Sequence, residues 1–156
     1  MGIITQISSL LSSISLGMYY FDIAMVLRDS VLLNSMLVSC HSWYFVSKKH
    51  IESLESLDIL FLKKCLNSHS KTVRENYYLE TGKIKIRYIL SKRRLMYLHH
   101  ILTRDKSELI FKVYQAQGLK PTKGIWFTMI QNEKIKYNIK LSDDKIAQMA
   151  KRSFKK

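Results

Sequence analysis

Turn punctuation is the scarcest resource in this chain, which has five glycines and one proline in 156 residues. Sandwiches and barrels are built from many short strands joined by many tight turns, and those turns draw on glycine and proline. So few of either favours a small number of long elements. With 47% hydrophobic and 24% charged residues, the chain has the composition of a globular protein and not of a disordered one. The reading is a mostly helical chain, long enough for one domain with a real core or for two small lobes.

Apolar spacing carries that reading along the sequence. Ile3, Ile7, Leu10, Leu11 and Ile14 share one helical face opposite serines, with Gly17 as the stop. From Met18 to about Cys40 a second helix is apolar nearly all round, as a central helix would be. Arg28 and Asp29 are the charges in its middle, so each must meet a partner or reach a rim. His41 to Val46 forms a break, and Ser47 is positioned to cap a helix over 48–66. A polar loop at 67–71 leads to a short helix capped by Thr72 and ended by Thr81-Gly82. Residues 84–103 predict a long helix with Ile86, Ile89, Leu90, Tyr97, Leu98 and Ile101 inward. Asp105 or Ser107 would cap the next, burying Leu109, Ile110, Val113 and Ala116 and stopping at Gly118. Pro121 marks a boundary, followed by a short helix holding Trp126, Phe127, Met129 and Ile130. Ser142-Asp143-Asp144 starts a last helix running into the basic tail 151–156, its acids complementing the helix dipole.

Charge divides the chain unevenly. The first 80 residues hold seven bases and seven acids, whereas residues 81–156 hold nineteen and five, so the whole net charge of +14 lies beyond residue 80. A surplus of that kind favours a polyanionic partner, either nucleic acid or an anionic membrane surface. Residues 1–21 and 30–47 carry no charged side chain, and both lengths are near that of a membrane span. Five serines with Thr5 and Gln6 make the first too polar to face lipid, and the basic start of a secretory signal is missing. Buried helices explain both stretches more economically than a span does, and an intracellular location, nuclear or cytoplasmic, is the expectation.

Chemistry of a catalytic kind finds no constellation to carry it. The sequence contains no G-x-S-x-G, no glycine-rich phosphate loop and no H-E-x-x-H. Cys40 and Cys65 form no metal-ligand spacing, and His99 and His100 point about 100° apart on a helix. The chain therefore reads as non-catalytic, with no cofactor, no metal and no small-molecule ligand. The residues that do point to a partner are Lys83, Lys85, Arg87, Lys92, Arg93 and Arg94, six cations within twelve positions with no acid between them. On one helix face they would hold phosphates in a sequence-independent, salt-sensitive way. Tyr88 and Tyr97 lie nearby, where aromatics can stack on unpaired bases. The same pattern also describes a solvated face with the tyrosines in the core, and both readings stand at this point.

Several blocks, taken in order, carry a resemblance. They are Leu16-Gly17-Met18-Tyr19-Tyr20-Phe21, Leu27-Arg28-Asp29-Ser30, Ser39-Cys40-His41-Ser42-Trp43-Tyr44, Tyr78-Leu79-Glu80-Thr81-Gly82 and Ile86-Arg87-Tyr88-Ile89. Arg93 to Leu102, Tyr114-Gln115-Ala116-Gln117, and Pro121 followed by Trp126 complete the set. Together they resemble the segment that follows the palm in reverse transcriptases of LINE-like, non-LTR retrotransposons. In that family the palm carries the metal-binding aspartates, and the helices after it form a thumb and linker that hold the primer-template duplex. The resemblance implies a thumb-like fragment without the polymerase centre, with Arg28, Arg87, Arg93 and Arg94 on matching positions. Two departures stand out. The family has an acid near His41, and after its glycine it has a small residue, an apolar residue and proline where this chain has Lys83-Ile84-Lys85.

The expectations are then an all-α, irregular bundle of about six or seven helices, thumb-like, with a basic C-terminal arm. Residues 1–118 form the helical domain and 119–156 its extension. The expected partner is RNA or DNA bound without sequence preference. The alternatives are a decayed-element relic with no activity of its own and a membrane-associated protein using residues 1–47. A thumb cut from its polymerase would also expose an apolar face, which makes self-association a further expectation. Arg28 and Arg87 have a structural alternative as well, bridging helices through carboxylates such as Glu80.

Overall fold

The computed structural model describes residues 5, 6, 9, 20–43, 46–68, 71–120 and 126–148. Among them there is no strand, and the helices fall into seven rods, in agreement with the expected all-α class. The first rod is continuous but not uniform: α1 (Tyr20–Leu27) passes through a π turn (Arg28–Leu32) into α2 (Leu33–Met36). Then come α3 (Lys48–Cys65), α4 (Arg74–Thr81), α5 (Ile86–Leu102), α6 (Leu109–Leu119), α7 (Trp126–Lys136) and α8 (Asp143–Gln148). Of the predicted helix over residues 3–16 only Thr5, Gln6 and Ser9 are described, and they are helical; the Pro121 boundary and the basic tail lie outside the described residues.

Contacts group the chain into two units, and the division is not at residue 118. One unit comprises residues up to Val38 together with Lys48–Arg87, and the other Ser39–Ser47 together with the chain from Tyr88 onward. The chain therefore enters each unit twice. The first unit is centred on Ala24, Met25, Leu32, Ile59, Phe61, Leu62, Tyr77 and Tyr78. The second is centred on Leu98, Ile101, Tyr114, Trp126, Ile130 and Ile146.

Polar side chains accompany the π turn. The Ser30 hydroxyl donates to the Val26 carbonyl at 2.7 Å, and the Asn34 amide donates to the Ser30 carbonyl at 2.8 Å. Both occupy carbonyls that the backbone ladder would otherwise use, and the Leu33 N–H reaches back five residues to Arg28. The widened turn leaves Arg28 fully buried and its neighbour Asp29 half-exposed.

Helix ends follow local rules, some legible in the sequence and some not. Gly82 closes α4 in the left-handed region at φ 62°, as expected. The cap of α4 is Val73 in extended backbone with no side-chain bond, so Thr72 does not cap it. α3 and α7 both end in Schellman motifs with asparagine as the left-handed residue. Asn67 (φ 45°) donates to Lys64 and Ser68 to Lys63, while Asn138 (φ 52°) donates to Ile135 and Ile139 to Lys134.

α6 departs from expectation in three ways. Its N-cap is Glu108, while Asp105 accepts the Ser107 N–H in a local turn at 2.7 Å. Phe111 and Tyr114 are buried, whereas Leu109, Val113 and Ala116 are exposed. Two apolar faces compete in this segment, and the aromatic pair has more area to remove from water. Gly118 does not stop the helix, which continues to Leu119. A Cβ at Gly118 would lie 3.1 Å from the Phe127 ring, so glycine is there to admit that ring.

Candidate nucleic-acid interface

The six predicted cations divide three and three between the units. Lys83 and Lys85 sit in the short connection just before α5 and Arg87 in its first turn, spaced two residues apart. Each binds a carboxylate from a different element of the first unit. Lys83 Nζ meets Asp29 of the π turn at 2.7 Å, and Lys85 Nζ meets Glu75 of α4 at 2.9 Å. Arg87 grips Glu55 of α3 with two bonds of 2.7 and 2.6 Å. Burial raises the affinity of the Glu55 carboxyl for a proton, but the Arg87 bonds and charge outweigh it and hold the group below its ordinary range. Glu75, fully exposed, is held low by Lys85.

Next to this clasp lies a buried polar centre. Arg28 makes a fork to Asp58 with two bonds of 2.7 Å, and its third nitrogen reaches Asp29 at 2.8 Å. The Tyr78 hydroxyl donates to Asp58 at 3.2 Å. Burial, followed by the charges of Asp58 and Glu55, pushes the Tyr78 phenol far up, so it remains a neutral donor. Arg28 and Arg87 thus bridge helices as the structural alternative held, through Asp58 and Glu55 rather than Glu80. Around the clasp lies an open groove of about 650 Å³ in which Lys49, Arg74, Lys85 and Arg87 face Glu52, Glu55 and Glu75. Cations and acids alternate there, so the groove presents no single sign of charge to a ligand.

In the second unit Lys92 is exposed, Arg93 half-buried and Arg94 buried. Arg93 points a guanidinium nitrogen at the Cys40 sulfur, 3.9 Å away. Burial raises the Cys40 thiol above its ordinary range, and Arg93 opposes that. Arg94 does not share the solvent face predicted for it. It faces Glu133 at 3.4 Å and the Trp43 carbonyl at 3.5 Å, with Arg94 Nε and Glu133 Oε2 left unpaired. Tyr97 is partly buried against His41 and Trp126, and the Trp126 indole donates to the His41 carbonyl at 2.8 Å.

Charge is where the units differ most. By sequence the second unit has sixteen bases and five acids, +11, against +3 for the first with ten and seven. Several of those five acids are turned to internal work. Glu133 faces Arg94, Asp143 accepts both the Tyr114 hydroxyl at 2.7 Å and Lys134 at 3.0 Å, and Glu108 faces Arg104. Asp143 at the α8 start is therefore a cross-link between helices as well as a dipole partner. Exposed cations remain along the unit, among them Lys92, Lys106, Lys112, Lys120, Lys136 and Lys140.

Beside Lys92 the α5 face carries a small apolar pocket of about 190 Å³, lined by Tyr88, Ser91, Lys92, Leu95 and Tyr137. Tyr137 was not among the sequence candidates. It sits at the cap of α7, and the signal that could have found it is Asn138, whose left-handed backbone ends that helix. Among the described residues no group of three His, Cys, Asp or Glu could hold a metal ion, and no helix is long and apolar enough to cross a membrane. Comparison with family models, curated proteins and solved structures finds no match for this chain.

Proposed function

We propose that this chain is a non-catalytic nucleic-acid-binding module that holds the phosphate backbone without reading sequence, in the manner that its resemblance to a reverse transcriptase thumb implies. The observation that carries the reading is the +11 charge of the second unit, with most of its few acids engaged inside the unit. Such a surface attracts a polyanion by releasing condensed counterions. Lys83, Lys85, Arg87 and Arg94 each have a carboxylate partner, so a phosphate would have to displace it. Exposed lysines of the second unit, Lys112, Lys136 and Lys140 among them, carry the contact.

Fluorescence anisotropy with a labelled oligonucleotide, titrated over a series of salt concentrations, tests the reading. Affinity is expected to fall linearly on a log-log plot, and each of Lys92→Gln, Lys112→Gln and Lys136→Gln that removes a phosphate contact lowers the slope by about 0.7–0.9. Failure to bind, or an affinity indifferent to salt, overturns the proposal and leaves the relic reading. Reversing the charge of Arg94 is not a useful probe, because that side chain is inside the fold.

A further inference from the structure

Resting on that reading, we infer that the pocket between Tyr88 and Tyr137 takes one unpaired base, which adds to backbone binding a preference for single-stranded over duplex nucleic acid. The pocket has the right chemistry on three counts. Its walls are mostly the apolar parts of Tyr88, Leu95 and Tyr137, and its volume of about 190 Å³ is below the roughly 300–1,000 Å³ of ordinary cofactor sites. It suits one flat ring. Tyr88 is 47% exposed, an aromatic surface already open to solvent and not engaged in core packing.

The second ring is held in place from both ends. Tyr137 closes α7, where Asn138 donates to Ile135 at 3.0 Å and Ile139 to Lys134 at 2.8 Å. Its hydroxyl donates to Ser91 Oγ of α5 at 3.2 Å. A ring fixed this way loses little freedom when a base stacks on it. Charge complementarity selects the occupant: Lys92 is on the pocket wall, and Lys136 Nζ lies 5.0 Å from the Tyr137 ring centroid. One cation on the pocket wall and a second over the ring of Tyr137 match a base attached to a phosphate, whereas a neutral apolar ligand would gain nothing from them. A duplex keeps its bases stacked inside and offers the pocket no flat face.

The test compares one oligonucleotide as a single strand and as a duplex of equal length, using the full chain. Tyr88→Ser is expected to weaken single-strand binding about 5- to 150-fold, the range for one base on an aromatic ring. Duplex affinity and the salt slope should stay as they were, and Tyr88→Phe should restore single-strand binding. A 2-aminopurine base in the strand should be quenched by the unsubstituted chain and less so by Tyr88→Ser. If Tyr88→Ser lowers both affinities equally or neither, the pocket inference fails while backbone binding stands. If the unsubstituted chain binds neither form, both fail.

Discussion

At the scale of single residues, Arg28 is the most consequential side chain in the first unit. It is 1% exposed and its fork to Asp58 has no solvent to fall back on. Removing one partner of such a pair leaves the other buried and uncompensated, which costs about 3–5 kcal/mol. Urea unfolding of Arg28→Met is expected to show a loss of that size. Arg28→Met combined with Asp58→Leu should recover most of it, since an apolar pair of similar volume avoids the desolvation. Glu55 supplies a pH dependence. Its folded value lies below the ordinary 4.5, so the folded state binds its proton less readily than the unfolded one. The stabilisation is therefore present at neutral pH, starts to fade as the pH falls through the ordinary value, and is gone below the folded one. Arg87 is 43% exposed, so solvent screening keeps the contribution to about 1 kcal/mol. Stability measured from pH 7 to pH 3 should show Glu55→Gln destabilised at the upper end and level with the parent at the lower.

Elements were legible where one face or one residue decided the outcome. The long run of α5 followed from its inward Ile86, Leu90, Leu98 and Ile101, all buried, and Gly82 marked an end because only glycine takes φ 62° without strain. Where two signals competed, the sequence did not arbitrate. α6 offered an aliphatic face and an aromatic one, and Gly118 read as a stop when its role is to admit Phe127. The π turn was out of reach for a different reason: a single widened turn leaves no periodic trace. The helix ends themselves are testable. A Cβ at Gly82 would meet nothing within 4 Å, so the cost of Gly82→Ala is conformational alone, about 1–2 kcal/mol by thermal unfolding. Asn138 sits in the same backbone region, and Asn138→Gly should be neutral or stabilising where Asn138→Ala is destabilising.

For the molecule as a whole, the charge asymmetry seen along the sequence survives folding but changes its address. The dense basic run 83–94 reads as one face of one helix, yet Lys83, Lys85 and Arg87 clasp three elements of the first unit and Arg94 is enclosed in the second. Linear spacing shows which cations are neighbours but not which carboxylates come from thirty or fifty residues away to meet them. Tyr88 was visible as an aromatic beside cations, and folding shows it to be exposed. Tyr137, which completes its pocket, lies 49 positions further on and could be paired with it only by folding.

The double passage of the chain through both units limits how this protein can be divided. Separating the units takes three backbone cuts, after 38, 47 and 87, and no single truncation isolates either one. Residues 39–47 supply Trp126 with the His41 carbonyl, Arg94 with the Trp43 carbonyl and Arg93 with the Cys40 sulfur. A fragment that begins at Tyr88 keeps the cations and the Tyr88–Tyr137 slot but loses those partners. It should unfold without a cooperative transition, and attaching 39–47 to it through a flexible linker should bring the transition back. Mapping binding by serial truncation would therefore report the loss of a fold as the loss of a site.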